Sequence, residues 1–203
     1  MLFRSAAHRL PARYFYLPNQ YWVHKNHIRV VEALRLLRDR GANIIVASSG
    51  NPQDPRHADH YARLREKVAA DGLAENFLFL GNIPTRDVAI LMRSSVAMLN
   101  PSLFEGWSTT VEEAKSLGVR MVLSNLAVHR EQTGEAAVFF DPNDPAAIAA
   151  SLEKAWSEFQ KPPTLPEQRA AAANAELRIR DFAMHFARAC NQALARSGLR
   201  APP

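Results

Sequence analysis

The sequence predicts an α/β fold: a single doubly wound, mostly parallel, Rossmann-like sheet of about six strands, followed by a helical tail. Apolar runs of strand length alternate with longer segments patterned at helical spacing, the rhythm of a sheet wound by βα units. Breaks rich in Gly, Pro, Asn and Asp separate the runs. A 47% hydrophobic fraction over 203 residues suffices for one sizeable core without disulfide or metal support.

Taken in order, Tyr14–Leu17 reads as the first strand. The segment 28–40 carries Val31, Leu34 and Leu37 on one helical face and Arg29, Glu32, Arg35 and Arg38 on the other, with Gly41 as the stop. Asn43–Ala47 is the second strand, and a charged helix spans about His57 to Ala70. Phe77–Leu80 is the third strand. Thr85 is expected to cap the next helix, and Val96–Leu99 is an apolar fourth strand. A polar loop after Asn100 leads into a helix over Val111–Leu117, closed by Gly118. Met121–Leu123 and Val138–Phe140 supply the last strands, with a short helix near His129–Gln132 between them and a long one over Pro145–Phe159. By composition 161–166 is a linker and 167–203 a helical tail. The domain proper runs from 13 to 160, and 1–12 reads as the remnant of an interdomain linker. In the tail, Ile179, Phe182, Ala183, Phe186 and Cys190 form an apolar stripe that requires a partner.

Composition narrows the function classes. A single cysteine and the absence of any Cys/His cluster at zinc spacing point to a reducing, cytoplasmic setting. Neither a transmembrane span nor a signal peptide is visible. The net charge of +5 is spread among acids, as in Arg63-Leu-Arg-Glu-Lys67, so nucleic acid is not expected as a partner. Such an excess suits an anionic substrate or peripheral contact with a bilayer surface.

Two segments carry candidate chemistry. Lys25 stands beside a helix start at Asn26 or His27, where unpaired backbone N–H groups already favour anions, so a phosphate is the natural ligand. No Gly-x-Gly-x-x-Gly or Gly-Lys-[Ser/Thr] occurs, which argues against a dehydrogenase or a P-loop. His24 and His27 have no third ligand for a metal. The second segment is Phe104-Glu105-Gly106-Trp107-Ser108-Thr109-Thr110-Val111-Glu112-Glu113. Its helix opens on hydroxyl residues able to donate to an anion, and carboxylates bracket that turn. A carboxylate beside a phosphate is suited to accepting hydrogen bonds from neutral hydroxyls, such as those of a sugar. Spacing alone leaves Glu112 and Glu113 equivalent.

At these residues, from about Arg13 to Trp156, the sequence resembles the group 1 family of retaining, nucleotide-sugar-dependent glycosyltransferases of GT-B architecture. Its most specific element is a pair of glutamates separated by seven residues, matched here by Glu105 and Glu113. The resemblance implies that Glu105 contacts the transferred sugar, Glu113 the ribose, and Lys25 the donor diphosphate, with Glu105 and Lys25 as the catalytic pair. The family's second cation, an arginine, is replaced by Gln20, its preceding glycine by Asn19, and the glycine after the lysine by Asn26. Ile83 falls where the nucleobase is covered, and Gly106, Trp107, Ser108, Thr109 and Thr110 complete the expected donor site. The resemblance implies a nucleoside diphosphate sugar as substrate, no cofactor, and a front-face displacement with the donor phosphate taking the acceptor's proton. No Asp-x-Asp is present, so no metal is expected. Only the donor half of a two-domain enzyme is evident, and an amino-terminal acceptor domain, in the same or another chain, is its expected partner. The replacement at Gln20 also fits an alternative, a nucleotide-binding or scaffold module that does no chemistry.

Overall fold

The computed structural model describes His8 and residues 10–197; most of the expected linker remnant 1–12 and the end of the tail lie outside the described residues. Six strands, β1 (Phe15–Leu17), β2 (Val46–Ser49), β3 (Phe77–Gly81), β4 (Ala97–Asn100), β5 (Met121–Ser124) and β6 (Val138–Phe140), form one sheet in the order β3-β2-β1-β4-β5-β6. Every pairing is parallel. The helices are α1 (His27–Asp39), α2 (His60–Ala70), α3 (Thr85–Ser94), α4 (Thr109–Leu117), α5 (Ala127–Thr133), α6 (Pro145–Glu158) and α7 (Leu165–Ser197). Strand order reverses at β1, whose neighbours are β2 and β4, so a crevice opens beyond the carboxyl ends of β1 and β4.

Strand periodicity divides the core into two layers. Phe15 and Leu17 of β1, Leu99 of β4 and Val122 of β5 face one layer with Val30, Val31 and Leu34 of α1, Leu64 of α2 and Ile148 and Leu152 of α6. Tyr14 and Tyr16, Met98, and Met121 and Leu123 face the other, against Leu91 and Met92 of α3 and Val111 and Ala114 of α4. Burying both faces explains why these strands read as continuous apolar runs. Each buried tyrosine hydroxyl finds a partner: Tyr14 donates to Leu91 O at 2.9 Å, Tyr16 lies 2.6 Å from Ser49 Oγ, and Tyr21 donates to Ser48 O at 2.9 Å.

Several boundaries differ from the sequence expectation, each for a local reason. β2 starts at Val46, not Asn43, because Asn76 Nδ2 bonds Asn43 Oδ1 and Ile44 O, both at 3.0 Å, holding the lead-in by side-chain amides. α2 starts at His60, not His57. The Asp54 carboxylate turns the preceding chain by accepting the Arg56 N–H at 3.0 Å and the Val23 N–H at 3.3 Å. Thr85 is the first helical residue of α3 and caps nothing; Pro84 holds the cap position, and its carbonyl accepts from Asp87 and Val88 N–H. α4 begins at Thr109, two residues before Val111. α7 begins at Leu165, inside the stretch 161–166 that composition assigns to linker. Thr164 and Glu167 form a reciprocal capping box there, with Glu167 Oε2 2.7 Å from Thr164 Oγ1 and 2.6 Å from its backbone N. Thr164-Leu-Pro-Glu167 is a readable signature of that start.

The first part of α7 packs on α4, and Gly118 permits the contact. Its φ of +68° terminates α4 in the left-handed region, and an added Cβ would lie 3.0 Å from Ala171 Cβ and Glu167 O. Beyond Arg178 the helix leaves the domain, with Ile179, Phe182 and Phe186 more than half exposed. The stripe expected to need a partner has none over this stretch among the described residues. Cys190 is a free, exposed thiol.

His27 opens α1 completely buried, with neither ring nitrogen hydrogen-bonded, and its ring lies 4.8 Å from that of Tyr21. Burial above all, then the charge of His60, opposed by the Asn19 backbone and reinforced by Lys25, pushes its pKa down to about 3. The folded state keeps His27 neutral, whereas the unfolded chain protonates it below about 6.5. Its stability contribution is therefore full above pH 6.5 and is lost as pH falls towards 3, at up to about 1.4 kcal/mol per pH unit. His60 and His129, also lowered chiefly by burial, act in the same direction. Urea titrations between pH 7.5 and 4.5 are expected to show this loss, and His27→Phe to show a shallower one; parallel slopes would reject the assignment.

Candidate functional site

The chain leaves β1 through Pro18, Asn19 and Gln20 and reaches a 3-10 turn, Val23–Lys25, before α1. It leaves β4 at Asn100 and runs through Glu105 into α4. Because β1 and β4 are neighbours, these two loops lie side by side. His24 O accepts the Leu103 N–H at 2.8 Å, and Asn26 Nδ2 donates to Pro101 O at 3.0 Å and Pro142 O at 2.8 Å. Asn26 adopts φ +60°, ψ +31°, the one positive-φ non-glycine among the described residues. Asparagine tolerates that conformation better than other side chains, which explains how it stands at the expected glycine position.

Lys25 and Glu105 meet across the loops, with Nζ 2.7 Å from Oε1. Ser102 Oγ lies 2.7 Å from the same oxygen, and Asn100 Nδ2 lies 3.5 Å from it. Burial pushes the Glu105 carboxyl up. Hydrogen bonds from Lys25 and Ser102, together with the Lys25 charge, outweigh it and hold the group below the ordinary carboxylate range. Glu105 is therefore an anion at neutral pH, and no hydrogen bond reaches its Oε2 among the described residues. Neutralising Lys25 this way leaves the crevice with little net positive charge, the more so because Gln20 is exposed and uncharged.

The first turn of α4 separates the remaining candidates. Ser108 is buried: its N–H donates to Gln132 Oε1 at 3.3 Å, and its hydroxyl lies 3.0 Å from Asn100 Nδ2 and 3.1 Å from Thr110 Oγ1. Its donors are thus engaged with the protein. The Thr109 and Thr110 N–H groups have no partner among the described residues, and Thr109 is exposed. Glu112 is tied down by Lys115 Nζ at 3.1 Å and Gln132 Nε2 at 3.0 Å. Glu113 has no hydrogen bond or ion pair among the described residues, and burial raises its pKa. The tertiary structure therefore makes Glu112 and Glu113 unequal where spacing could not.

Glu113 lines a cleft of about 360 Å³ between α3 and α4, shared with Val88 and Met92. Val88 also borders a smaller cleft of about 140 Å³ at the ends of β1, β2 and β3, where Gln20, Asn51, Asn82 and Ile83 gather. Gly50 allows that wall to form, since an added Cβ would lie 2.3 Å from Asn19 O. Asn19 is buried and donates to Asn100 Oδ1 at 3.2 Å. Gly106 is exposed. Trp107 stands apart from the other candidates, lining a cavity of about 590 Å³ with Gln132, Arg178 and Phe182. Asn100, Ser102, Gln132 and Gly50 were not singled out by sequence; only their neighbours in space reveal them. Among the described residues no group of three His, Cys, Asp or Glu side chains is placed to hold a metal.

The family described as glycosyl transferases group 1 matches residues 5–176. The chain belongs to this family. Relatives include the O-antigen chain mannosyltransferase B of Escherichia coli, 34% identical over 39% of this chain and 22% of that protein. The O-antigen chain mannosyltransferase RfbU of Salmonella typhimurium is 24% identical over 70% of this chain and 36% of that protein. Among solved structures, HepE of Anabaena in complex with UDP and glucose has a TM-score of 0.70 at 18% identity, covering 88% of this chain and 48% of that one. Sucrose-phosphate synthase of Thermosynechococcus elongatus also gives 0.70, at 17% identity, covering 97% and 49%. This group 1 chain thus spans about half the length of those structures and less of the curated relatives.

Asn26→Gly retains the left-handed backbone but loses two buried side-chain hydrogen bonds, whereas Asn26→Ala loses them and adds conformational strain. Expected destabilisations are about 1–3 kcal/mol for Gly and a further 1–2 kcal/mol for Ala. Urea denaturation measures both, and an alanine variant as stable as the glycine variant would contradict the strain argument.

Proposed function

We propose that this chain is the donor-binding half of a glycosyltransferase that moves a sugar, with retention, from a nucleoside diphosphate sugar to an acceptor. The observation that carries this reading is the meeting of Lys25 and Glu105 at the β1/β4 crevice, within a chain of the group 1 family. Solved neighbours bound to UDP and to UDP-glucose, and relatives titled mannosyltransferases, support it. In this reading Lys25 meets the diphosphate, and the open oxygen of Glu105 accepts a hydroxyl of the transferred sugar. Glu113, anionic and unpaired, accepts the ribose hydroxyls, while Ile83 covers the base and the first-turn amides of α4 face a phosphate. The protein's share of catalysis is positioning and charge stabilisation, and the donor phosphate takes the acceptor's proton. No residue role in this reading calls for a metal or a cofactor.

An acceptor-binding domain completes the cleft. The exposed stripe Ile179, Phe182 and Phe186 is the surface we assign to it. Arg178, Arg180 and Arg188 on the same helix support a second reading for the stripe, peripheral contact with an anionic bilayer.

Titration calorimetry with UDP and GDP tests the site. Glu113→Ala is expected to weaken the nucleotide that the parent binds by roughly 1.5–3 kcal/mol, about ten- to a hundredfold. Lys25→Ala is expected to weaken the diphosphate more than the bare nucleoside. Equal losses for both ligands would remove Lys25 from the phosphate site. Transfer itself is expected only when the chain is mixed with an acceptor-binding domain: robust transfer by the chain alone would overturn the half-enzyme reading, and nucleotide binding without transfer in any mixture would favour a module that does no chemistry.

A further inference from the structure

Asn100 closes β4 and is completely buried, although the other three residues of that strand, Ala97, Met98 and Leu99, are apolar. A buried amide must find partners for its carbonyl oxygen and for both N–H donors, and here they come from three segments. Oδ1 lies 3.2 Å from Asn19 Nδ2 in the β1 loop, and 3.2 Å and 2.7 Å from the backbone N and Oγ of Ser102. Nδ2 lies 3.0 Å from Ser108 Oγ and 3.3 Å from Thr110 Oγ1 in the first turn of α4. Its 3.5 Å approach to Glu105 Oε1 is the longest of these contacts. Asn100 therefore reaches Glu105 mainly through Ser102, whose hydroxyl lies 2.7 Å from both Asn100 Oδ1 and Glu105 Oε1. The single hydroxyl hydrogen serves one of these acceptors at a time, so the two residues share one donor.

The consequence is an asymmetric carboxylate. Lys25, Ser102 and Asn100 all converge on Oε1 of Glu105, and Oε2 receives no hydrogen bond among the described residues. A central polar network of this kind fixes orientation at a cost that apolar packing would avoid. We propose that Asn100 is a positioning residue of the transfer site: it commits one oxygen of Glu105 to the protein, leaves the other for the donor sugar, and sets the first turn of α4 in the same network. This rests on the donor-site reading of Glu105.

The test uses the full chain with Asn100→Leu, similar in volume and apolar like the rest of β4, and with Ser102→Ala as a gentler break in the same network. Carbon-13 NMR follows the Glu105 carboxyl across pH without any ligand, its resonance identified by Glu105→Gln. In both variants the midpoint is expected to climb towards or above the ordinary carboxylate range, because burial is no longer outweighed by the same donors. Calorimetry then compares UDP-glucose with UDP, and GDP-mannose with GDP. For whichever pair the parent binds, the affinity ratio of sugar nucleotide to bare diphosphate is expected to fall at least tenfold in Asn100→Leu. Unchanged Glu105 midpoints in both folded variants would overturn the proposal whatever the ligands do. A moved midpoint with an unchanged affinity ratio would overturn its link to the sugar. A parent that binds neither pair would sink the donor-site reading instead, and the ligand-free titration would still decide the positioning role.

Discussion

The parallel pairing of β1 with β4 is the constraint on which the site depends. The winding places β2 and β3 on one side of β1 and β4 to β6 on the other, so the chain leaves the sheet at two adjacent points facing the same way. Lys25 and Glu105 are 80 residues apart in sequence, and only that adjacency brings their charges to 2.7 Å. The bonds from Leu103 to His24 and from Asn26 to Pro101 are the backbone expression of the same adjacency.

The electrostatics of the crevice are those of a site rather than of a stabilising core. A partly buried ion pair contributes little net stability, because desolvation offsets much of the attraction. Here the pair is joined by Asn19, Asn100, Ser102 and Ser108, all buried, where apolar residues would pack at lower cost. Nearby, His27 remains neutral in a pocket that offers neither ring nitrogen a hydrogen bond. Such concentrations of interior polarity fit a segment arranged for binding, while the apolar layers on either side of the sheet supply the stability.

The last helix belongs to the domain at one end only. Gly118 and Ala171 bring it against α4, and a capping box sets its start. Past Arg178 it is a solitary amphipathic helix of the kind that gains its stability from packing rather than from propensity. Among the described residues no helix is long and apolar enough to cross a membrane.

The alternation of apolar runs and helical periodicity was enough to define the α/β class and all six strands, because both faces of a wound parallel sheet are buried and local composition records it. Element starts were less legible where side chains such as Asn76, Asp54 and Thr164 redirect the backbone. Lys25, Glu105 and Glu113 were readable because their residue types and their places after strands carry chemical meaning. The choice of Glu113 over Glu112 came from family resemblance, and the structure adds a physical reason: Gln132 and Lys115 engage one glutamate and leave the other. Asn100, Ser102, Gln132 and Gly50 carry no local signal, since an asparagine ending a strand or a glycine in a loop looks ordinary until the opposing backbone is in place. The sequence by itself determined the elements and the chemistry available at their ends. The tertiary structure decided which groups are spent on one another and which remain open, because hydrogen bonds between distant segments depend on ångström distances that spacing along the chain does not encode.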